Sequence, residues 1–341
     1  MKMDNTILRI LGRAQDGIAP SKVDCIAMFD CTPTSVEAAM IRAVADSLSR
    51  RRFGNEGVIL GQIGIEIDSC PGECKFCSFG DGHTQFLPSK MSVEEIVAAA
   101  KTFTKTGDLY ALFLMTMHTF DFERLLDAVS RIRAQMPKKP QLVVNSGDFD
   151  RKQAEELKGA GVNGAYHVCR LREGTDTALD PEARKRTIKT IKDTGLDWYF
   201  CCEPVGPEHT SEELAEQLFL GIEYGCFQHA AMRRVYVPQT PLSHYGQITE
   251  LRLAQVTAVV ALASLGCPET RNIAVHEPNL IGLTSGANVV YAETGANPRD
   301  TEENTLGHRG RDVKACKLML YEAGFERLLT APGEYGDIKL L

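Results

Sequence analysis

The chain has 341 residues, with 45 acidic and 38 basic side chains for a formal charge of −7, and is 43% hydrophobic and 24% charged. That is apolar content for one large domain or two ordinary ones, and it excludes a chain disordered throughout. The acidic balance argues against a general binder of nucleic acid or anionic membrane. No apolar run reaches the roughly 20 residues that span a bilayer, and the opening MKMDNTILRI lacks the apolar core of an export signal, so a cytoplasmic protein is expected.

Residues 1–57 read as a helical extension, with Ser35–Phe53 its best segment. From Gly61 the rhythm changes to short β-type runs alternating with amphipathic stretches. Strands are expected at Gly61–Ile67, Leu109–Met115, Gln141–Asn145, Gly164–Val168, Trp198–Glu203, Arg233–Val237, Asn272–Val275 and Asn288–Ala292. Helix starts between them have a mechanism. Ser92 with Glu95 and Thr210 with Glu213 fit capping boxes, Asp150 with Gln153 is a weaker copy, and Asp180 caps a helix that opens on Pro181. Parallel neighbours need crossovers, so strand–helix alternation implies a parallel sheet. Eight units suit an α/β fold of the closed (β/α)8 TIM type over residues 58–325, after the helical extension and before a tail, 326–341, expected to close the barrel. A doubly wound open sheet is the alternative. Both place active residues at the carboxyl ends of strands.

Eleven cysteines are too sparse for a disulfide scaffold in a chain of this size. Three of them cluster just after the first strand, as Cys70-Pro-Gly-Glu-Cys74-Lys-Phe-Cys77. Thiolates this close in sequence can converge on one metal centre, whose charge would keep them deprotonated. In one reading they bind three irons of a [4Fe–4S] cluster and leave the fourth iron open to an external ligand. In another, His83 joins them as fourth ligand of a closed, structural zinc site on a non-catalytic domain. Plain thiols are the third. No fourth cysteine for a fully protein-held cluster comes before Cys169.

The C-x3-C-x2-C triplet, with the aromatic Phe76 before its last cysteine, resembles the signature of the radical S-adenosylmethionine superfamily. Its place after the first barrel strand matches as well. The resemblance covers roughly residues 40–325 and is nearest the branch of biotin synthase, the radical hydrogenase maturases, methylornithine synthase and tyrosine lyase. Phe53–Glu56, Ser146-Gly147 with Ala154–Gly161, Val205–Thr210, Thr240–Leu242 and Gly286–Asn288 resemble stretches of that branch. The resemblance implies a [4Fe–4S] cluster on Cys70, Cys74 and Cys77. Its open iron chelates S-adenosylmethionine, one electron cleaves the sulfonium bond, and the resulting 5′-deoxyadenosyl radical abstracts hydrogen from the substrate.

The resemblance also suggests cofactor contacts. Arg172-Glu173, with Arg170 two residues earlier, stands where an Arg-x-Glu of the branch holds the methionine part, and a guanidinium clamps a carboxylate well. Arg184 or Arg186 offers a second partner. Glu203, at the carboxyl end of the fifth strand, is a further cofactor-binding candidate, and Gly206 and Pro238 fall on turns expected to approach the nucleoside, where a glycine permits close backbone contact. The glycine-rich motif after the second strand is replaced by Thr116-Met117-His118.

For the substrate, His118, His276 and Glu277 lie at strand ends, as pocket-lining groups do, and are the candidate catalytic residues; Tyr166 and Tyr236 lie near such positions. Biotin synthase carries a second, sulfur-donating cluster on cysteines of strands two, three and five and an arginine on strand seven. Here strands two and three carry no cysteine, while Cys201, Cys202 and Arg271 match the other two places. Cysteines 169 and 201, with Cys25 and Cys31, leave room for a different auxiliary iron–sulfur cluster; buried thiols are the plain reading. The expected protein is a radical enzyme acting on a small molecule in cofactor or amino-acid biosynthesis. Carbon-skeleton cleavage or rearrangement is favoured over sulfur insertion of the biotin/lipoyl type, and flavodoxin or ferredoxin would supply the electron. A degenerate, non-catalytic paralogue and the zinc domain are the rivals.

Overall fold

The computed structural model describes residues 4–136, 139–277, 279–299 and 310–339. Pro278, within the stretch singled out at Val275–Asn279, lies outside them, as do the first three and last two residues.

Eight parallel strands form the barrel: β1 Glu56–Gly64, β2 Ala111–Met115, β3 Gln141–Asn145, β4 Gly164–Tyr166, β5 Asp197–Val205, β6 Gln228–Arg233, β7 Asn272–Val275 and β8 Val289–Gly295. They pair in sequence order, and the ring closes through β1 and β8, register Val58↔Val289 to Gly64↔Gly295. The outer helices are α4 Val93–Thr104, α5 Phe122–Gln135, α6 Arg151–Gly159, α7 Pro181–Asp193, α8 Ser211–Glu223, α9 Glu250–Ala263, the single turn α10 Leu280–Leu283, and α11 Val313–Glu322. The α/β TIM-type barrel expected from the alternation is the fold, and the open sheet is not. The expected caps form: Ser92–Glu95, Asp150–Gln153 and Thr210–Glu213 are reciprocal boxes, and Asp180 accepts from Glu182 N and Ala183 N.

One strand lies five residues from its expected place. The apolar run Val235–Val237 lies beyond the sheet, with Tyr236 exposed, whereas the strand is Gln228-His-Ala-Ala-Met-Arg233. Its polar residues hid it. Gln228 Nε2 donates to Tyr291 Oη inside the barrel, and His229 Nδ1 meets Ser264 Oγ at 3.1 Å outside it, so both are buried at no loss of hydrogen bonding by those atoms.

The tail forms a hairpin, β9 Arg327–Ala331 and β10 Glu334–Asp337, and β9 pairs with Glu56 and Gly57 at the amino end of β1. The extension is α1 Asn5–Gln15, α2 Lys22–Phe29 and α3 Val36–Arg52. Arg52 fastens α3 to the barrel by donating to the carbonyls of Ser264, Cys267 and Thr270.

Inside the barrel, Phe113 packs edge-on against Tyr166, Tyr199 and Tyr291, with ring centroids 6.5, 5.1 and 5.7 Å away. These rings make a floor. The space above it, at the carboxyl ends of the strands, is the site.

Candidate active site

The loop leaving β1 carries the three cysteines, and it is anchored on every side. Its stem is a two-residue ribbon, Glu66–Ile67 against Ser89–Lys90. Buried Glu66 accepts from Met117 N at 3.0 Å and pairs with Arg124 at 2.9 Å, and Arg124 also donates to the carbonyls of Ile65 and Met91. Lys75 N donates to Asp176 O, Ser78 N to Pro298 O, and Leu242 N to Lys75 O, which ties the loop to those following β4, β8 and β6. Gly80 is required: a Cβ there would lie 2.2 Å from the His83 ring.

Cys70, Cys74, Phe76 and Cys77 all line one cavity. Burial pushes the Cys74 thiol up to about 11 although Arg170 works against it; burial and the neighbouring Cys74 push Cys77 higher still. Buried thiols such as Cys74 and Cys77 ionise side by side only around a bound cation, which is what a cluster iron supplies. Phe79 N donates to Cys77 Sγ at 3.3 Å, a backbone contact that favours the thiolate. The residues fit a three-cysteine iron–sulfur cluster, which Cys70, Cys74 and Cys77 would hold. They do not fit the zinc reading: His83 Nε2 lies 2.6 Å from the carbonyl oxygen of Cys77, so its ring is committed to the loop backbone. Among the described residues no three or more His, Cys, Asp and Glu side chains are arranged to hold a single ion.

Beside the cysteines stand Arg170 and Arg184, both lining the cavity. Arg170 Nε lies 3.3 Å from Glu203 Oε1, and Tyr166 Oη donates to the other oxygen of Glu203. Burial would lower the Arg170 pKa, but Glu173, Cys74 and Glu203 outweigh it and keep the guanidinium charged. Arg184 is held from behind by Val168 O and by Asp148, which also takes His167 Nε2 at 3.0 Å and Thr187 Oγ1 at 2.8 Å. Burial alone would raise the Asp148 carboxyl; the His167 hydrogen bond and the Arg184 charge hold it well below the usual range. His118 and His276 line the cavity too. Burial lowers the pKa of both, and nearby guanidinium groups add to the effect.

Five expected site residues lie elsewhere. Arg172 turns outward and pairs with Glu213 at 2.6 Å, because its backbone takes a left-handed φ of 53°. Glu173 stays behind the wall, accepting from Arg170 N at 2.8 Å and from Thr177 Oγ1, so it positions Arg170. The space a Cβ would take at Gly206 is filled by the Arg234–Glu208 ion pair, 2.5–2.6 Å away. Pro238 is exposed on its turn. Glu277 faces a neighbouring recess, where it meets Arg311 at 3.3 Å and Arg299 at 3.9 Å. Arg186, the alternative to Arg184, is an exposed partner of Asp180. The four cysteines offered for an auxiliary cluster do not meet. Cys25 belongs to α2, which packs on the outer helices α8 and α9, and Cys31 follows it; Cys169 Sγ turns to Pro181 O, and Cys201 lies inside by Tyr166 and Glu203.

Other lining residues escaped the sequence reading. Arg233 and Arg234 were hidden by the misplaced strand, whose true carboxyl end they occupy. Glu66 was the polar residue two past Gly64 on an apolar strand, a signal that was there to use. Arg299 and Glu293 carried none.

Three comparisons agree with this geometry. Residues 67–218 match the family described as the Radical SAM superfamily. Curated relatives include the biotin synthases of Carboxydothermus hydrogenoformans, 25% identical over 229 residues (64% of this chain, 69% of the relative), and of Mycobacterium leprae, 27% identical over 300 residues (82% and 85%). Among solved structures, methylornithine synthase (PylB) superposes with a TM-score of 0.79 at 16% identity, covering 93% of this chain and 96% of its own. The FeFe-hydrogenase maturase HydG of C. hydrogenoformans gives 0.76 at 17%, covering 94% and 78%. The complete parallel barrel, the cysteine triplet on the loop after its first strand and the match of residues 67–218, which spans that loop, point the same way: this chain is similar to members of the radical SAM superfamily.

Proposed function

We propose that the protein is a catalytically competent radical S-adenosylmethionine enzyme that abstracts hydrogen from a small polar molecule and cleaves or rearranges its carbon skeleton. When bound to Cys70, Cys74 and Cys77, a [4Fe–4S] cluster supplies the electron that splits the sulfonium of S-adenosylmethionine into methionine and a 5′-deoxyadenosyl radical. The chain's own part is positioning and shelter. Arg170 and Arg184 offer fixed positive charge for a carboxylate beside the cysteines, and Glu203 offers an acceptor, its carboxylate held by Tyr166 and Arg170. The aromatic floor and closed wall exclude water and oxygen from a reactive radical. Flavodoxin or ferredoxin would deliver the electron at the cysteine loop.

The observation that carries the choice of reaction is the cavity wall. The only cysteines among the described residues that line it are Cys70, Cys74 and Cys77. Below it stand Phe113, Tyr199 and Tyr291, where a second cluster would need room and ligands. That arrangement favours cleavage or rearrangement over sulfur insertion from an auxiliary cluster.

The test is anaerobic reconstitution with iron and sulfide. About four irons per chain and 5′-deoxyadenosine on reduction with S-adenosylmethionine are expected. A reconstituted, reduced cluster that yields no 5′-deoxyadenosine refutes the reading, and about eight irons per chain would revive sulfur insertion.

A further inference from the structure

One quarter of the cavity wall is built for a ligand that the cofactor contacts leave unaddressed. It lies where β6, β7 and β8 end: Arg233 is the last residue of β6, His276 follows β7, and Arg299 stands four residues beyond β8. All three line the cavity. Each is fixed by part of its side chain. Arg233 Nη1 donates to Ile248 O at 2.9 Å, Arg299 Nη2 to Glu293 Oε1 at 3.0 Å, and the His276 ring stacks on Tyr291 with centroids 4.4 Å apart. The rest is unmet. Arg233 Nε, Arg299 Nη1 and both ring nitrogens of His276 are buried with no hydrogen-bond partner among the described residues, and His276 is 6% exposed. Folded proteins rarely leave buried donors unsatisfied, and four such atoms on one wall mark a place that a bound molecule completes.

We propose that this quarter receives a carboxylate of the substrate, held by Arg233 Nε, Arg299 Nη1 and His276; the assignment rests on the radical-enzyme reading above. A carboxylate has two oxygens and about four lone-pair sites, enough for all three donors. Two guanidinium groups favour it strongly over a neutral amide. His276 adds a finer demand. Buried beside the charges of Arg299 and Arg311, it stays neutral, so one ring nitrogen donates and the other accepts. The acceptor is met by an N–H or O–H close to the carboxylate. The substrate class is therefore an amino or hydroxy acid. Its carboxylate is held by residues at the ends of β6, β7 and β8, whereas Arg170 follows β4 and Arg184 stands on α7. The two ligands of the reaction then have distinct anionic anchors.

The experiment uses reconstituted holoprotein saturated with S-adenosylhomocysteine, so that the arginines by the cysteine loop are occupied. Binding of lactate and alanine is compared with that of lactamide and alaninamide by saturation-transfer NMR. The acids are expected to bind about tenfold or more tightly than the amides, the scale of one lost charge-assisted hydrogen bond. Arg233→Gln and Arg299→Gln should each erase most of that difference, while Arg186→Gln, on an exposed helix face, should leave it intact. If Arg299→Gln does not fold, Arg233→Gln decides alone. Equal binding of acid and amide, binding of neither, or an acid preference that survives in the folded arginine variants overturns the proposal. Failure of the radical-enzyme reading would be distinct: it is the absence of 5′-deoxyadenosine from the reduced wild-type protein.

Discussion

The substitution Arg124→Met removes one partner of a buried ion pair that sets the stem of the cysteine loop. Arg124 bonds Glu66 at 2.9 Å and donates to the carbonyls of Ile65 and Met91; the Glu66 side chain is 2% exposed and that of Arg124 17%. Stranding a buried carboxylate costs about 3–5 kcal/mol, and the partial exposure of Arg124 puts this case near the low end, about 3 kcal/mol. Urea unfolding of the iron-free protein should show it. With a slope of about 3 kcal/mol/M the midpoint falls by roughly 1 M. Iron loading should fall too, since the loop stem loses three hydrogen bonds at once. Replacing both partners, Glu66→Leu with Arg124→Met, should recover most of the stability, because no buried charge is then left alone. A loss below about 1 kcal/mol for Arg124→Met, or a double variant no better than the single one, would refute the reasoning.

Acid should unfold the protein from an unusually high pH. Burial holds the imidazoles of His167 and His229 down to about 3, whereas in the unfolded chain they take protons near pH 6.5. Between those values the unfolded state binds more protons, so stability is full above about pH 7 and drops by roughly 1.4 kcal/mol per pH unit for each histidine below about 6.5. A Tm that stays level from pH 7 to 5 would contradict this. Cys77→Ser should cut reconstituted iron from about four per chain to below about one, while Cys31→Ser, Cys169→Ser and Cys201→Ser should each leave it near four, read by iron and sulfide assay. Gly64→Ala places a methyl 1.8 Å from the carbonyl oxygen of Ala296, backbone against backbone. It should cost about 3 kcal/mol or more, seen as lost soluble yield and a lowered Tm.

The barrel and its cysteine loop were legible because both are local. Helix caps, apolar strand runs and the triplet spacing each need only a few neighbouring residues. What escaped depended on partners far off in sequence. Gln228 and His229 look unlike strand residues until Tyr291 and Ser264 are brought to them by the ring. That misreading moved the end of β6 by four residues and hid Arg233 and Arg234. Arg172 and Arg170 alternate in sequence and looked equally apt, but the left-handed backbone at Arg172 sends its side chain outward to Glu213, while Arg170 is drawn in by Glu173 and Glu203. Glu277 fell to the same kind of cause, since Arg311, in the loop just before α11, draws it into a separate recess.

The layer of interlocked rings at mid-barrel also fixes traffic. Phe113, Tyr199 and Tyr291 block passage toward the amino ends of the strands, and Gln228 pins Tyr291 in place. Reactants and spent fragments must therefore share the doorway at the opposite end. Whichever molecule sits deeper has to arrive first and depart last, so an excess of the shallower one should lock the deeper one in, giving an obligatory order of arrival and inhibition by surplus of the late-comer.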